Sequence, residues 1–137
     1  MDDITRWPIA AWVIAAEGCI TLTIHKYSQG PAYYESWISV GQKTENKQFV
    51  IEFKKIVGVG KIYKCGKNTI WSINKFEYIK YVLENILPYL PIKRQQAESL
   101  LEYVNSRISR PRHKAPYTQR EREIAEEIRE LNKPSES

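Results

Sequence analysis

The apolar positions change their period several times along the chain, and each change marks an element. From Trp7 to Glu17 the run is small and apolar, with Ala10, Ala11, Ala15 and Ala16 as strong helix formers and Pro8 suited to a first turn. The spacing predicts a helix over 7–17 closed by Gly18. From Cys19 to Tyr27 the pattern alternates strictly, Ile20, Leu22 and Ile24 on one face and Cys19, Thr21, Thr23, His25 and Tyr27 on the other, as in a half-buried strand. Ser28 to Pro31 reads as a turn, and Ala32 to Gln42 as a second strand. There Ile38 and Val40 face the core, and Tyr33, Glu35, Trp37 and Ser39 have the opposite parity. Helical spacing returns over 45–57, with Phe49, Val50, Phe53 and Ile56 on one side. Residues 58–74 predict a hairpin, with strands 61–65 and 69–74 and its turn at Gly66-Lys67-Asn68. A third helix over Phe76–Tyr89 turns Ile79, Val82, Leu83 and Ile86 inward, and Pro91 opens a fourth over 92–107 with Ala97, Leu100, Leu101 and Val104 inward. A basic, proline-containing loop over 107–116 leads to a charged amphipathic helix over 117–132, whose stripe is Ile124, Ala125, Ile128 and Leu131.

This order, helix, two strands, helix, two strands, then helices, predicts an α+β fold with both hairpins in one antiparallel sheet. Such a sheet carries helices on one face and leaves the other open. The expected organisation is a single domain over 1–137, with a core at about 7–105 and the C-terminal helix added to it. A chain of this length buries roughly two thirds of its unfolded surface and needs no staples. The open face would present Thr21, Thr23, His25, Tyr27, Tyr33, Glu35, Trp37 and Ser39, joined by Lys61, Tyr63, Cys65, Ser72 and Asn74 on the same parity argument. An ordinary wetted sheet face and a ligand-reading face both fit that pattern.

Charge narrows the partners. The net charge is +5, which favours nucleic acid or an anionic membrane over an acidic protein surface. The mixed charge of the helix over 117–132 does not suit a membrane surface, and no apolar run approaches the length of a membrane span. The two cysteines, Cys19 and Cys65, form no CxxC pair, which argues against structural zinc and for a reducing, cytoplasmic setting with no targeting signal.

The first 44 residues hold four acids: Asp2, Asp3, Glu17 and Glu35. Asp2 and Asp3 are expected at a loose terminus. Glu17 sits at the C-terminal end of a predicted helix, where the dipole disfavours negative charge. It is either simply solvated or compensated by a cation. Hard cations take carboxylate oxygens together with carbonyls such as those of a helix end. If the helix packed on its own copy, with Ala11 and Ala15 permitting close approach, two Glu17 side chains would meet.

"AAWVIAAEG" (Ala10 to Gly18) resembles the motif of the LAGLIDADG homing endonucleases: an alanine-rich helix closed by an acid-Gly pair, with a strand directly after. The likeness continues in "VGQKTENKQFVIEFKKIVGVGKIY" (Val40 to Tyr63) and "LPYLPIKRQQAESLL" (Leu87 to Leu101), and covers roughly residues 7–105. The resemblance implies that family's αββαββα core with a saddle-shaped four-stranded sheet. It implies a sequence-specific DNA endonuclease dependent on Mg2+, or another divalent cation such as Mn2+. Glu17 and the backbone oxygen of Ala16 would hold the metal. Gln42 would position solvent, and Lys93 would polarise water or stabilise phosphate charge. The open-face residues above would read double-stranded DNA in the major groove. Lys43 and Arg94, together with Arg110, Arg112 and Lys114 of the basic loop, would meet phosphates, although that loop reads equally as a solvated linker. A single motif implies a homodimer through Ala11, Trp12 and Ala15, acting on a near-palindromic site.

Two positions depart from the motif: Trp12 stands where the family has a small glycine, and Ala15 where it has an acid. The competing expectation is a non-cleaving protein of the same fold, an intron RNA maturase or a DNA-binding regulator. A small-molecule or purely structural α+β domain is the third.

Overall fold

A computed structural model describes residues 2–26, 28–110 and 116–134. Helix α1 (Asp3–Glu17) runs directly into strand β1 (Gly18–His25), which pairs with β2 (Tyr33–Lys43). A 3-10 turn (Thr44–Asn46) precedes α2 (Lys47–Val57), and the second hairpin follows as β3 (Lys61–Cys65) and β4 (Asn68–Ile73). Helix α3 (Phe76–Ile86), a 3-10 turn (Leu87–Tyr89), α4 (Arg94–Ile108) and α5 (Gln119–Leu131) complete the order. The strands form one antiparallel sheet in the order β1-β2-β4-β3, as the α+β reading expects. The helices pack on one face of it, and the core runs from Trp7 and Ile14 through Trp71 and Tyr103 to Ile128.

Several boundaries differ from the sequence expectation for identifiable reasons. Helix α1 begins four residues early because Asp2 is not loose: its Oδ1 accepts from the Thr5 N–H at 3.1 Å as an N-cap. Pro8 therefore lies in the second turn, not the first. Gly18 is not a left-handed cap, since its φ is −106°. It is glycine because a Cβ there would fall 2.8 Å from the Ile14 carbonyl oxygen and 3.1 Å from that of Ser39. The helix and the strand are thus jammed together at this point. Pro91 does not open α4; the chain bends through Pro91 and Ile92, and Lys93 holds φ 65° as the N-cap. In the second hairpin Gly66 at φ 60° starts a two-residue turn, and Lys67 keeps φ negative, the type II′ combination. On α2 the core takes Val57, while Phe49 turns outward and Ile56 is half-buried; on α4 Tyr103 occupies the core and Leu101 its edge.

Helix α5 is tied down by polar groups as well as by its apolar stripe. Thr118 and Glu121 form a capping box. The Glu121 carboxylate is fully enclosed and also accepts from Ser106 Oγ at 2.6 Å, from Arg107 Nη1 at 3.3 Å and from Arg110 Nη2. At one end the Tyr34 N–H donates to the Tyr117 hydroxyl at 2.9 Å, and at the other Asn132 Nδ2 donates to the Ile20 carbonyl at 2.9 Å. The helix therefore lies along edge strand β1 and covers it.

Burial pushes the Glu121 carboxyl up, but the bonds from Ser106, the Thr118 backbone and Arg110, with the Arg107 charge, outweigh it and hold the group below its ordinary value of 4.5. Its stabilising effect is then complete above that value and is lost as pH falls below it. Glu121→Gln, which leaves two guanidinium groups without their anion, is expected to cost about 3 kcal/mol in urea unfolding at neutral pH. The variant's stability should also fall less steeply than the wild type's below pH 4.5.

Candidate active site and nucleic-acid interface

The face of the sheet away from the helices is a groove built by strand parity. Register places Thr21 opposite Trp37, Thr23 opposite Glu35, His25 opposite Tyr33 and Ser39 opposite Ser72. Lys61 lies opposite Ser72 and Tyr63 opposite Ile70, while Cys65 closes the β3 side and Asn74 follows the end of β4. The alternate positions Ile20, Leu22, Ile38, Val40, Trp71 and Ile73 are all in the core. The structure thus gathers the expected face, except that Tyr27 lies outside the described residues. It adds Gly41 and Ile70, which the sequence reading passed over although both share the parity. A cleft of about 370 Å³ lies between Glu35, Trp37, Ser39, Lys61, Tyr63, Ile70, Ser72 and Asn74. A second, of about 420 Å³, runs on past Ser39 and Ile70 to Gln42, Lys43 and Glu17.

Glu17 marks one end of this groove, and two residues from distant segments reach it. Gln42 Nε2, at the end of β2, donates to Glu17 Oε2 at 3.0 Å. Lys93 Nζ donates to the Gly18 carbonyl at 2.6 Å and reaches the Ile14 carbonyl at 3.4 Å. The ammonium therefore sits on the negative end of the α1 dipole and offsets the local cost of placing a carboxylate there. To deliver it, Lys93 holds a left-handed backbone, the one non-glycine residue with positive φ among those described. Such a conformation costs of order 1–2 kcal/mol and persists only where surrounding contacts impose it.

The donor set fits a hard divalent cation in kind. The chain offers the exposed Glu17 carboxylate and the carbonyl oxygens of the last α1 turn, Ala16 among them, and oxygen donors of this sort suit Mg2+ or Mn2+. It is incomplete in number, because no group of three or more His, Cys, Asp or Glu side chains that could hold a metal ion occurs among the described residues.

Lys43 is exposed beside the Glu17 cleft, and Arg94 is exposed with Glu98 at 3.8 Å. Arg110 is corrected: both ends of its guanidinium are engaged, on Glu121 and on the Pro116 carbonyl at 2.6 Å, which makes it a brace for α5 and not a free phosphate clamp. Arg112 and Lys114 lie outside the described residues. The interface expected at Ala11 and Ala15 is also corrected, because these are 0% and 4% exposed and fill the chain's own core. The outward face of α1 is instead Thr5, Ile9, Trp12 and Ala16, with Pro8 and Val13 at its margins, and Trp12 is 61% exposed. No helix among the described residues is long and apolar enough to cross a membrane.

A sequence model of the LAGLIDADG endonuclease family matches residues 13–106. No curated protein matches the sequence significantly. The fold is similar to that of the homing endonuclease I-CvuI in complex with its target, at 21% identity and TM-score 0.79, covering 97% of this chain and 85% of that one. It is also similar to the archaeal intron-encoded I-Vdi141I complexed with DNA, at 17% identity and TM-score 0.76, covering 99% and 89%. For I-GzeII with its DNA target the values are 16% and 0.69, covering 90% of this chain but 42% of that one.

If the left-handed backbone at Lys93 is imposed by the fold, Lys93→Gly relieves it and Lys93→Ala does not. Both lose the ammonium, yet the glycine variant is expected to be about 1 kcal/mol the more stable in urea unfolding. Equal stabilities would place no strain at this residue.

Proposed function

Because the chain belongs to the LAGLIDADG endonuclease family, we propose that it is a site-specific double-stranded DNA endonuclease that acts as a homodimer with a divalent cation such as Mg2+. The observation that carries this reading is the convergence of Glu17, Gln42 and Lys93 at one end of an open, aromatic and hydroxyl-rich groove. Three segments remote in sequence are held there at hydrogen-bond distance, one of them by a left-handed backbone.

On this reading Glu17 and the Ala16 carbonyl hold the cation, which supplies Lewis-acid stabilisation of charge at the scissile phosphate. Gln42 fixes the carboxylate through its amide and, with its carbonyl, orders water beside the phosphate. Lys93 sets the charge of the site; its remaining N–H is available to a phosphate oxygen. The groove lies along the major groove, where Thr, Ser, Tyr and Asn side chains meet base edges. The basic residues at the strand ends, Lys26, Lys43 and Lys67, meet phosphates.

One carboxylate per chain makes the second copy necessary to the site. The exposed α1 face offers the contact: Trp12 presents a large apolar surface beside Ile9 and Ala16, and residues on one helix face meet their own copies across a two-fold. The bulk of Trp12 holds the two backbones apart, so the helices cross on a stacked aromatic layer and not on small residues. That I-GzeII is matched over 42% of its length, leaving room for a second such unit, supports a two-unit assembly.

The deciding experiment mixes the protein and Mg2+ with a large randomised duplex library and sequences new ends. Wild type should yield ends at one near-palindromic sequence. Glu17→Gln should cut at least about a hundred-fold more slowly, the scale of several kcal/mol of Lewis-acid help, while its DNA affinity changes little. Binding without ends would assign the protein to the non-cleaving regulators. Neither binding nor ends on DNA would make RNA the ligand. Trp12→Glu should sediment as a monomer and lose cleavage; a fully active variant that stays dimeric would move the interface elsewhere.

A further inference from the structure

Among the described residues Glu35 is the one carboxylate on the groove side of the sheet apart from Glu17 at its end, and its surroundings are built. Its Oε1 lies 4.0 Å from His25 Nε2, an enclosed atom with no hydrogen-bond partner. The imidazole is stacked on Tyr33 with ring centres 4.5 Å apart and planes 16° from parallel. Thr23 sits directly across from Glu35 in the register. The side chain thus leans against a wall made by the β1-β2 hairpin, with its other side, about half exposed, facing the groove. A carboxylate is unfavourable beside a polyanion unless something on the base edges repays it. In the major groove the available donors are the exocyclic amines of cytosine and adenine. Adenine's amine lies between two acceptors, its own N7 and thymine O4, which repel a carboxylate; cytosine N4 has an acceptor, guanine O6, on one side only.

Resting on the DNA-endonuclease reading, we infer that Glu35 is a specificity-determining residue that reads a cytosine N4 amine in each half-site, with His25 as its positioning residue. The base lies far from the cut. Glu35 precedes Gln42 by seven positions on β2, roughly 23 Å along the strand at 3.3 Å per residue. The readout therefore belongs to the outer part of the half-site. His25 acts through Glu35: its stacked ring fixes where the carboxylate sits, and a ring held by Tyr33 costs little ordering on binding.

The test is a binding selection on a randomised duplex library with no divalent cation, so that cleavage plays no part. Wild type should enrich a near-palindrome with cytosine at one outer position per half-site, preferred about ten-fold over other bases. Glu35→Gln should shift that single position toward adenine, the base a glutamine amide pairs with, and leave the rest of the consensus unchanged. His25→Phe, which keeps the stack, should weaken the preference at that position alone, and His25→Gln should restore part of it. A consensus identical in wild type and Glu35→Gln at every position would overturn the inference while leaving the DNA reading intact. Failure of the wild type to enrich any sequence would overturn the DNA reading, and this inference with it.

Discussion

The Lys93 ammonium on the carbonyls of Ile14 and Gly18 is the contact on which the candidate site depends. A helix that ends in glutamate and passes into a strand with no intervening loop collects negative charge: the dipole's end, the terminal carbonyls and the carboxylate. Nothing local offsets it, since the last turn of α1 holds no basic residue. The offset comes from 75 residues further along the chain, and it requires the turn between α3 and α4 to adopt a backbone that a lysine disfavours. One cation therefore does two jobs. It closes the helix end, and it fastens α4 to the α1-β1 junction, so that the position of Glu17 is set by the packing of three elements.

The rigidity of the groove comes from the opposite direction. Strand β1 is an edge, and an unpaired edge is free to twist or to pair elsewhere. Helix α5 closes it with the Asn132 amide on the Ile20 carbonyl, while Tyr117 satisfies the Tyr34 N–H beyond the reach of β4. The enclosed Glu121 holds both the start of α5 and the end of α4. The C-terminal helix is thus part of the floor that keeps the groove-lining side chains of β1 and β2 in register.

Periodicity made most of this legible. Alternation through β1 and β2 assigns both faces of the hairpin correctly, because a one-residue error would put Ile38 and Val40 in water. The glycine at 18 and the odd placement of Glu17 were visible as well. What was not visible was long-range. Arg6, whose Nε and Nη2 close the end of α2 on the Ile56 and Val57 carbonyls at 2.6 and 2.7 Å, carries no local signal. Arg107 and Arg110 read as free basic residues because sequence does not show that a glutamate 14 and 11 residues on is buried between them. Ala11 and Ala15 read as a contact stripe because their spacing suits any close packing, and only the position of the sheet and α2 says that the packing is internal. Trp12, which looked like a defect in the motif, is the residue left facing outward.

The distribution of charge follows from the same geometry. Among the side chains that line the cleft between Glu35 and Asn74, Lys61 is the one cation, and it already leans over the Tyr63 ring at 5.8 Å. The chain's excess positive charge sits instead at strand ends and turns, on exposed residues such as Lys26, Lys43 and Lys67. A groove lined with lysine would bind any duplex, since phosphate attraction carries no sequence information. On the proposed reading, hydroxyls, aromatics and a single leaning carboxylate would hold little affinity on their own and would discriminate because each is satisfied by few base edges. On that reading affinity at the rim and selectivity in the groove are separable, and the core-facing alternation of β1 and β2 is what would keep them so. Each strand spends every second residue on the core, leaving the intervening positions free of any packing duty.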